Sequence, residues 1–129
     1  MKIMVVDDCQ TTRKIISLYL KSKGLSVVLA ENGLDALEKL ATEDVNIILS
    51  DINMPYMDGI EFLKALRAEP GRAAIPVFMV TTESDAEEKE RAFKAGADDY
   101  LVKPVTADEV IKVIRKLLKK TFSEAATHA

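Results

Sequence analysis

Five short runs of consecutive aliphatic and β-branched residues constrain this chain more than any other feature of its sequence. They lie at 2–6, 26–30, 45–50, 76–81 and 100–103. Several are apolar at successive positions rather than at every second one, which is typical of strands buried on both faces of a sheet. The stretches between them carry apolar residues at helical spacing, and this predicts helices over 11–23, 33–42, 58–68, 85–95 and 107–120.

The predicted order of elements is a strand followed by a helix, five times over. Right-handed crossovers between parallel strands then give a five-stranded parallel sheet with helices on both faces. We therefore predict a doubly wound α/β fold of the flavodoxin-like kind, with strand order 2-1-3-4-5 and a switch point between the first and third strands. Ligands of such sheets bind beyond the carboxyl ends of the strands, next to the switch point.

Two residue patterns mark helix boundaries in the second half of the chain. Gly96 follows the fourth predicted helix, where a glycine can end a helix in the left-handed conformation. Thr106 or Asp108 can cap the start of the fifth helix, since both side chains accept hydrogen bonds from exposed helical N–H groups. These signals place a short connection on each side of the last strand.

Composition narrows the classes of protein to which the chain can belong. Its 129 residues suit one domain, and the net charge of −3 gives no excess of cations for nucleic acid. Cys9 is the only cysteine, and neither a signal peptide nor a membrane-spanning run is present. We predict a cytoplasmic protein that binds neither nucleic acid nor membrane, with one domain over 1–120 and a flexible tail over 121–129.

Polar and charged residues stand at the ends of four predicted strands. These residues are Asp7 and Asp8, Asp51, Thr81, and Lys103. A single acid in such a place is most often a solvated turn residue. Three carboxylates converging on one crevice repel one another, however, and a positive ion should hold them together. Mg²⁺ fits this requirement because it prefers carboxylate, carbonyl and water oxygens.

The same set of side chains suits phosphoryl transfer. That reaction needs a nucleophile in line with the phosphorus atom and positive or donor groups around the phosphoryl oxygens. One of the carboxylates can supply the nucleophile, Thr81 a hydroxyl donor and Lys103 an ammonium group. A salt bridge between Lys103 and one of the acids, with no further role, is the competing interpretation, and both are compatible in the resting state.

Four sequence motifs in this order resemble the receiver domain of bacterial two-component response regulators. They are "VVDD" (5–8), "LSDINMPYMDG" (49–59), "VTT" (80–82) and "GADDYLVKP" (96–104). Each motif alone is weak, but the ordered set at four strand ends is specific. The resemblance covers residues 2 to about 120, and the layout is most similar to the stand-alone chemotaxis type, CheY.

The resemblance implies a role for each residue at the strand ends. Asp51 would accept a phosphoryl group from a phosphohistidine of a sensor histidine kinase or phosphotransfer protein. Asp7, Asp8, Asp51 and the backbone carbonyl of Asn53 would hold Mg²⁺. Lys103 and Thr81 would contact phosphoryl oxygens, and the bond between Lys103 and Pro104 would be cis, a form that is inexpensive only before proline.

The resemblance also implies a switch and an output surface. Tyr100 would change rotamer as the Thr81 hydroxyl moves towards the phosphoryl group, and a target protein would bind the face formed by the fourth helix, fifth strand and fifth helix. Asn53 and Glu83 would set the lifetime of the phosphate. The chain is then no enzyme in its own right, although uptake of phosphate from small donors and loss of its own phosphate are expected.

Three alternatives remain for the function. The first is an intermediate in a phosphorelay rather than a chemotaxis protein. The second is a magnesium-dependent phosphatase of the haloacid dehalogenase type, which needs a second acid where this chain has Asn53. The third is a flavodoxin, in which Asp7 and Asp8 would place negative charge where the flavin phosphate binds. The second and third are disfavoured for those reasons.

Overall fold

The computed structural model describes residues 1–82, 86–106, 108–116 and 119. In chain order its elements are β1 (Lys2–Val6), α1 (Gln10–Ser22), β2 (Ser26–Ala30), α2 (Gly33–Leu40), β3 (Ile47–Asp51), α3 (Gly59–Ala68), β4 (Val77–Thr81), α4 (Ala86–Lys94) and β5 (Asp99–Val102). A further helix, α5, runs through 108–116. The predicted alternation of strands and helices is confirmed. Glu83, His128 and the predicted tail over 121–129 lie outside the described residues.

The five strands form one sheet in the order β2-β1-β3-β4-β5, and every pair is parallel. The predicted strand order is therefore correct. Strand β3 is central and pairs with β1 on one side and β4 on the other, with Val6 opposite Ser50 and Asp51 opposite Val80. This register brings the carboxyl ends of β1, β3 and β4 to the same edge of the sheet.

Each face of the sheet carries its own hydrophobic cluster, which explains the continuous apolar runs. Met4 and Val6 pack with residues of α2, α3 and α4 on one face. Ile3 and Val5, which alternate with them along β1, pack with α1 and α5 on the other face. Because side chains alternate across a strand, a strand covered on both sides needs apolar residues at every position. Burial of each such side chain stabilises the fold by roughly 1.5–3 kcal/mol.

Strand β3 begins two residues later and ends one residue later than the sequence predicts. It starts at Ile47 rather than at Val45, and just before it the side-chain oxygen of Asn46 accepts the backbone N–H of Lys2 at 2.8 Å. Its last residue is Asp51, which is still paired with β4. Strand β5 ends at Val102, so Lys103 follows the strand instead of belonging to it.

After β4, the predicted helix boundaries also lie close to the observed ones. Gly96 has φ of 108°, which agrees with the predicted left-handed end beyond α4. The hydroxyl of Thr106 accepts the backbone N–H of Glu109 at 3.1 Å, so Thr106 is the residue that caps α5. Within the described part of the chain, no helix has both the length and the apolar character needed to cross a bilayer.

Candidate functional site

Three carboxylates meet at the carboxyl edge of the sheet, as the sequence predicts. Asp7 and Asp8 follow β1, and Asp51 is the last residue of the neighbouring strand β3. One carboxylate oxygen from each of the three lies within 4.8 Å of the others. Asp7 and Asp51 are 2% and 7% exposed, whereas Asp8 faces solvent. The crevice therefore has two buried acids at its base and one at its mouth.

Lys103 lies between the two buried acids. Its ammonium nitrogen is 2.9 Å from Asp7 Oδ2 and 3.4 Å from Asp51 Oδ2. Burial alone would lower the pKa of Lys103, but the hydrogen bond to Asp7 and the charges of Asp51 and Asp7 outweigh it, so the pKa is raised. Lys103 is therefore protonated at neutral pH and holds both carboxylates by charge-assisted hydrogen bonds.

Asp51 is the acid whose ionisation is most affected by this site. Burial, helped by the negative charge of Asp7, raises its pKa from the ordinary value of 3.8 to about 6 in the balance of all contributions. Lys103 and the N–H of Ile52 act against this, since both stabilise the ionised form. At neutral pH Asp51 is mostly a carboxylate, yet one whose negative charge is only partly compensated by the protein.

The backbone of Asp51 is held by the start of α3. Gly59, the first residue of α3, donates its N–H to the carbonyl of Ile52 at 2.7 Å. A Cβ atom at position 59 would lie 2.1 Å from the carbonyl oxygen of Asp51, so only glycine permits this approach. Asp58 and Glu61 form a reciprocal capping box that fixes the helix start. The side-chain oxygen Oδ1 of Asp51 accepts the N–H of Ile52 at 2.9 Å.

Thr81 reaches the same edge, but its hydroxyl donates to a residue that the sequence did not single out. Thr81 is the last residue of β4, and its carbonyl accepts the backbone N–H of Lys103 at 2.6 Å. Its hydroxyl donates to Glu88 Oε1, on α4, at 2.9 Å. The structure thus brings Thr81 beside the acid cluster while its proton is directed to a carboxylate of the neighbouring helix.

Tyr100 contacts the same carboxylate. It is 9% exposed, and its hydroxyl donates to Glu88 Oε1 at 3.3 Å. The ammonium of Lys89 lies 6.0 Å from the centre of the Tyr100 ring, within the range of a cation–π interaction. Thr81 on β4 and Tyr100 on β5 are consequently joined through one oxygen atom of α4.

Glu88 is the residue that sequence reasoning missed. It lies in an acidic stretch at the start of α4, where neighbouring glutamates are equivalent in the sequence. The only signal is spacing, because Glu88 precedes the fully buried Ala92 by four residues and so occupies the same face of the helix. In the structure Glu88 is half-buried, whereas Glu87 and Lys89 on either side of it are exposed.

Two further predicted positions lie at this edge. Asn53 is exposed in the loop that follows β3, and the role of its carbonyl in metal binding stays a prediction. The peptide bond between Lys103 and Pro104 is cis, as the resemblance implied. The predicted role of Glu83 in phosphate lifetime falls outside the residues that the structure describes.

The residues at the crevice fit a divalent metal ion of the magnesium type. Asp7, Asp8 and Asp51 offer hard carboxylate oxygens that lie close enough to share one ion. Lys103 is the one cation among the described residues that pairs with the two buried acids. Burial is the main cause of the raised pKa of Asp51, and repulsion by the charge of Asp7 adds to it. A divalent cation would relieve that repulsion, and the set of donors therefore suits it.

Comparison with known proteins identifies the class to which this fold and site belong. A family model described as the response regulator receiver domain matches residues 3–115. A chemotaxis protein CheY homolog from Campylobacter jejuni subsp. jejuni (serotype O:23/36, strain 81-176) is 41% identical over 128 residues, which is 98% of each chain.

Solved structures agree with this assignment. Chemotaxis protein CheY4 of Vibrio cholerae has a TM-score of 0.85 at 36% identity, covering 89% of this chain and 96% of that one. A CheY-like receiver domain protein from Methanospirillum hungatei JF-1 has a TM-score of 0.87 at 29% identity, covering 95% and 97%. The chain therefore belongs to the response regulator receiver domain family. Its relatives place it with the CheY type, whose members are signalling proteins rather than classical enzymes.

Proposed function

We propose that this chain is a phosphorylation-dependent signalling protein in which Asp51 accepts the phosphoryl group. The observation that carries the proposal is the geometry around Asp51. Its carboxylate is 7% exposed at the end of the central strand, with one oxygen held by the N–H of Ile52 and the other 3.4 Å from the ammonium of Lys103. A fixed, mostly ionised carboxylate at an open crevice is suited to nucleophilic attack.

In the proposed step, an oxygen of Asp51 forms a bond to phosphorus as the bond from phosphorus to a histidine nitrogen of the donor breaks. The electron pair of the broken bond stays with the imidazole, and an acyl phosphate remains on Asp51. Lys103 is placed to neutralise a phosphoryl oxygen, because its ammonium already bridges Asp7 and Asp51. Thr81, at the end of the adjacent strand, is placed to donate its hydroxyl to another oxygen once it leaves Glu88.

Asp7, Asp8 and Asp51 are the side chains that would hold Mg²⁺, together with the carbonyl of Asn53. Mg²⁺ supplies, when bound, positive charge to the transferring phosphoryl group. Asp7 is anchored for this purpose, since its Oδ1 accepts the N–H of Cys9 at 2.8 Å and its Oδ2 is paired with Lys103. Asp8 has the exposure that a ligand at the mouth of the crevice requires.

A surface beside the crevice is suited to the phosphodonor protein. A cavity of about 370 Å³ is lined by Thr12, Ile15, Thr82 and Lys103, among other residues. Ile15, Leu18 and Tyr19 on α1 are 45%, 58% and 44% exposed, which is unusual for large apolar side chains. We propose that a sensor kinase or phosphotransfer domain docks here and next to Thr11, Thr12 and Arg13, with its phosphohistidine facing Asp51.

The proposed output is a change at the face formed by α4, β5 and α5. Tyr100 is the switch residue in this proposal, because its hydroxyl and that of Thr81 share an acceptor on α4. The acyl phosphate can shift this arrangement only if it favours one of two conformations of Thr81 and Tyr100. The names of the relatives favour a target in chemotaxis. A cytoplasmic location is part of this proposal, and a relay role would use the same chemistry.

Treatment with Mg²⁺ and beryllofluoride, or with a small phosphodonor, tests the proposal directly. We expect the wild type to form an acid-labile phosphate and to bind beryllofluoride, while Asp51→Asn does neither. Asp44→Asn is the matched control, since Asp44 is exposed in the loop before β3 and lies away from the carboxyl ends of the strands. The proposal would be contradicted if the tyrosine fluorescence of the wild type did not change with beryllofluoride and no acid-labile phosphate formed on it.

A further inference from the structure

Glu88 accepts hydrogen bonds from the two residues through which the proposed signal passes. Its Oε1 atom is 2.9 Å from the hydroxyl oxygen of Thr81 and 3.3 Å from that of Tyr100. The three residues come from α4, β4 and β5, so this single atom connects three elements. Glu88 is half-buried, and its carboxylate therefore has less water available than that of an exposed glutamate on the same helix.

We propose that Glu88 is a positioning residue that competes with the phosphoryl group for the Thr81 hydroxyl and so sets the resting state of the switch. This inference rests on the proposed function of Asp51. Thr81 carries one hydroxyl proton, which can be donated to one strong acceptor at a time. In this structure the carboxylate of Glu88 accepts a hydrogen bond from this hydroxyl. Donation to a phosphoryl oxygen requires that this hydrogen bond break first.

The strength of the competing acceptor determines how far the equilibrium lies towards the resting state. Hydrogen bonds to an ionised carboxylate are stronger than those between neutral groups. A ligand at Asp51 must therefore replace a charge-assisted bond with another of similar strength, and part of its binding free energy is used for this exchange. Removal of the Glu88 charge should make the same ligand bind more tightly.

The shared oxygen also couples Tyr100 to Thr81. While both hydroxyls donate to Glu88, the carboxylate is satisfied and the Tyr100 side chain stays 9% exposed. When Thr81 withdraws, Glu88 loses its shorter hydrogen bond and the preferred position of its carboxylate changes. The hydroxyl of Tyr100 then loses a fixed acceptor. Movement of Thr81 thus alters the environment of Tyr100 through the carboxylate to which both hydroxyls donate.

Titration with beryllofluoride in the presence of Mg²⁺ tests this role, with Glu88→Gln and Glu88→Ala as variants. We expect the half-saturating concentration to fall about three- to tenfold, because a neutral or absent acceptor competes less for the Thr81 proton. Glu90→Gln is the matched control, since it removes the same charge from the same helix at an exposed position paired only with Lys94 among the described ion pairs. It should bind like the wild type.

A Thr81→Ala background separates the hydrogen bond from the general effect of charge. In that background the Glu88→Gln substitution should no longer change the half-saturating concentration, because the hydroxyl for which Glu88 competes is gone. NMR of the ligand-free protein gives a second measurement. The Tyr100 ring resonances of Glu88→Ala should lie part-way towards their positions in the beryllofluoride-bound wild type.

The outcomes distinguish this inference from the function on which it rests. Equal binding by Glu88→Gln and Glu90→Gln, or a gain that persists without the Thr81 hydroxyl, would overturn the role of Glu88 alone. Circular dichroism shows whether each variant is folded, and the conservative Gln variant keeps the shape of the side chain. Failure of the wild type to bind beryllofluoride would overturn the proposed function of Asp51 and this inference with it.

Discussion

The two ends of the sheet each bury a cation among oxygen atoms, but they differ in how well the charges balance. At the amino end, Arg67 donates to the carbonyls of Gly96, Ala73 and Ile75 and pairs with Asp98 at 3.0 Å. Asp98 also accepts the N–H of Val77 at 2.8 Å. One cation there faces one acid, and neutral carbonyls accept the remaining N–H groups of the guanidinium.

At the carboxyl end, three acids meet one lysine that pairs with their carboxylates, while Arg13 binds only the backbone carbonyl of Asp7 among the hydrogen bonds of the described residues. Lys103 pairs with Asp7 and Asp51, and Asp8 adds a third carboxylate at the mouth. Burial and, to a smaller extent, repulsion by Asp7 raise the pKa of Asp51, whereas Arg67 and Asp98 pair one to one among the described residues. An ion pair whose charges balance stabilises the fold. An ion pair with an excess of carboxylates can in addition bind a cation.

The largest effect on stability is expected at the balanced end. Arg67→Ala should lower the free energy of unfolding by about 2–4 kcal/mol, because it removes the side-chain donor to three carbonyls and the cation that pairs with Asp98. Urea denaturation measures the change. Arg91→Ala is the control, since Arg91 is exposed on α4, and it should change stability by less than about 0.5 kcal/mol. Equal effects of the two substitutions would remove the contrast between the ends.

Replacement of one acid at each end should give changes of opposite sign. Folding raises the pKa of Asp51 from its ordinary value of 3.8 to about 6, so the folded state binds more protons than the unfolded state between these values. Stability is therefore lost as pH rises through this range. Without divalent cations, Asp51→Asn should be about 1–2 kcal/mol more stable at pH 7.5, a figure reduced for screening at the open crevice.

Asp98→Asn is the matched substitution at the other end and should lower stability, because it removes the charge that pairs with Arg67. Urea denaturation from pH 4 to 7.5 in the presence of a chelator measures both variants. The wild type should lose stability between about pH 4 and 6, and Asp51→Asn should lack this component of the loss. An Asp51→Asn protein less stable than the wild type at pH 7.5 would contradict the assigned imbalance.

The smallest effect concerns the exposed acid. Mg²⁺ at about five times its dissociation constant should raise the free energy of unfolding of the wild type by about 1 kcal/mol. Asp8→Asn should remove this gain while leaving the stability without Mg²⁺ nearly unchanged, since Asp8 is exposed. Sodium chloride at equal ionic strength controls for screening. A gain that persists in Asp8→Asn would show that Asp8 is not a ligand.

The fold and the edge residues could be predicted because they follow from local chemistry. A strand buried on both faces must be apolar throughout, and the carboxyl ends of parallel strands meet at one edge. Asp7, Asp51 and Lys103 could thus be brought together from sequence position alone. The resemblance to receiver domains then supplied roles for Thr81 and Tyr100 that spacing does not contain.

Glu88 and Arg67 could not be predicted, for two different physical reasons. Glu88 is one of several acids on α4, and only the placement of that helix over β4 and β5 turns its carboxylate inward. Arg67 binds mostly backbone carbonyls. Because every residue carries a carbonyl, the sequence does not indicate which residues Arg67 contacts. In both cases the missing information is the orientation of a helix relative to the sheet.

The close packing of Gly59 against the carbonyl of Asp51 has a consequence for how a signal can travel. With no space for even a methyl group between them, the main chain of Asp51 and the first turn of α3 are in close contact. A shift of the Asp51 main chain towards α3 on phosphorylation would therefore be opposed by this contact. The response would have to spread laterally, from strand to strand through the side chains of Thr81 and Tyr100, rather than axially along the helix that begins at the acceptor.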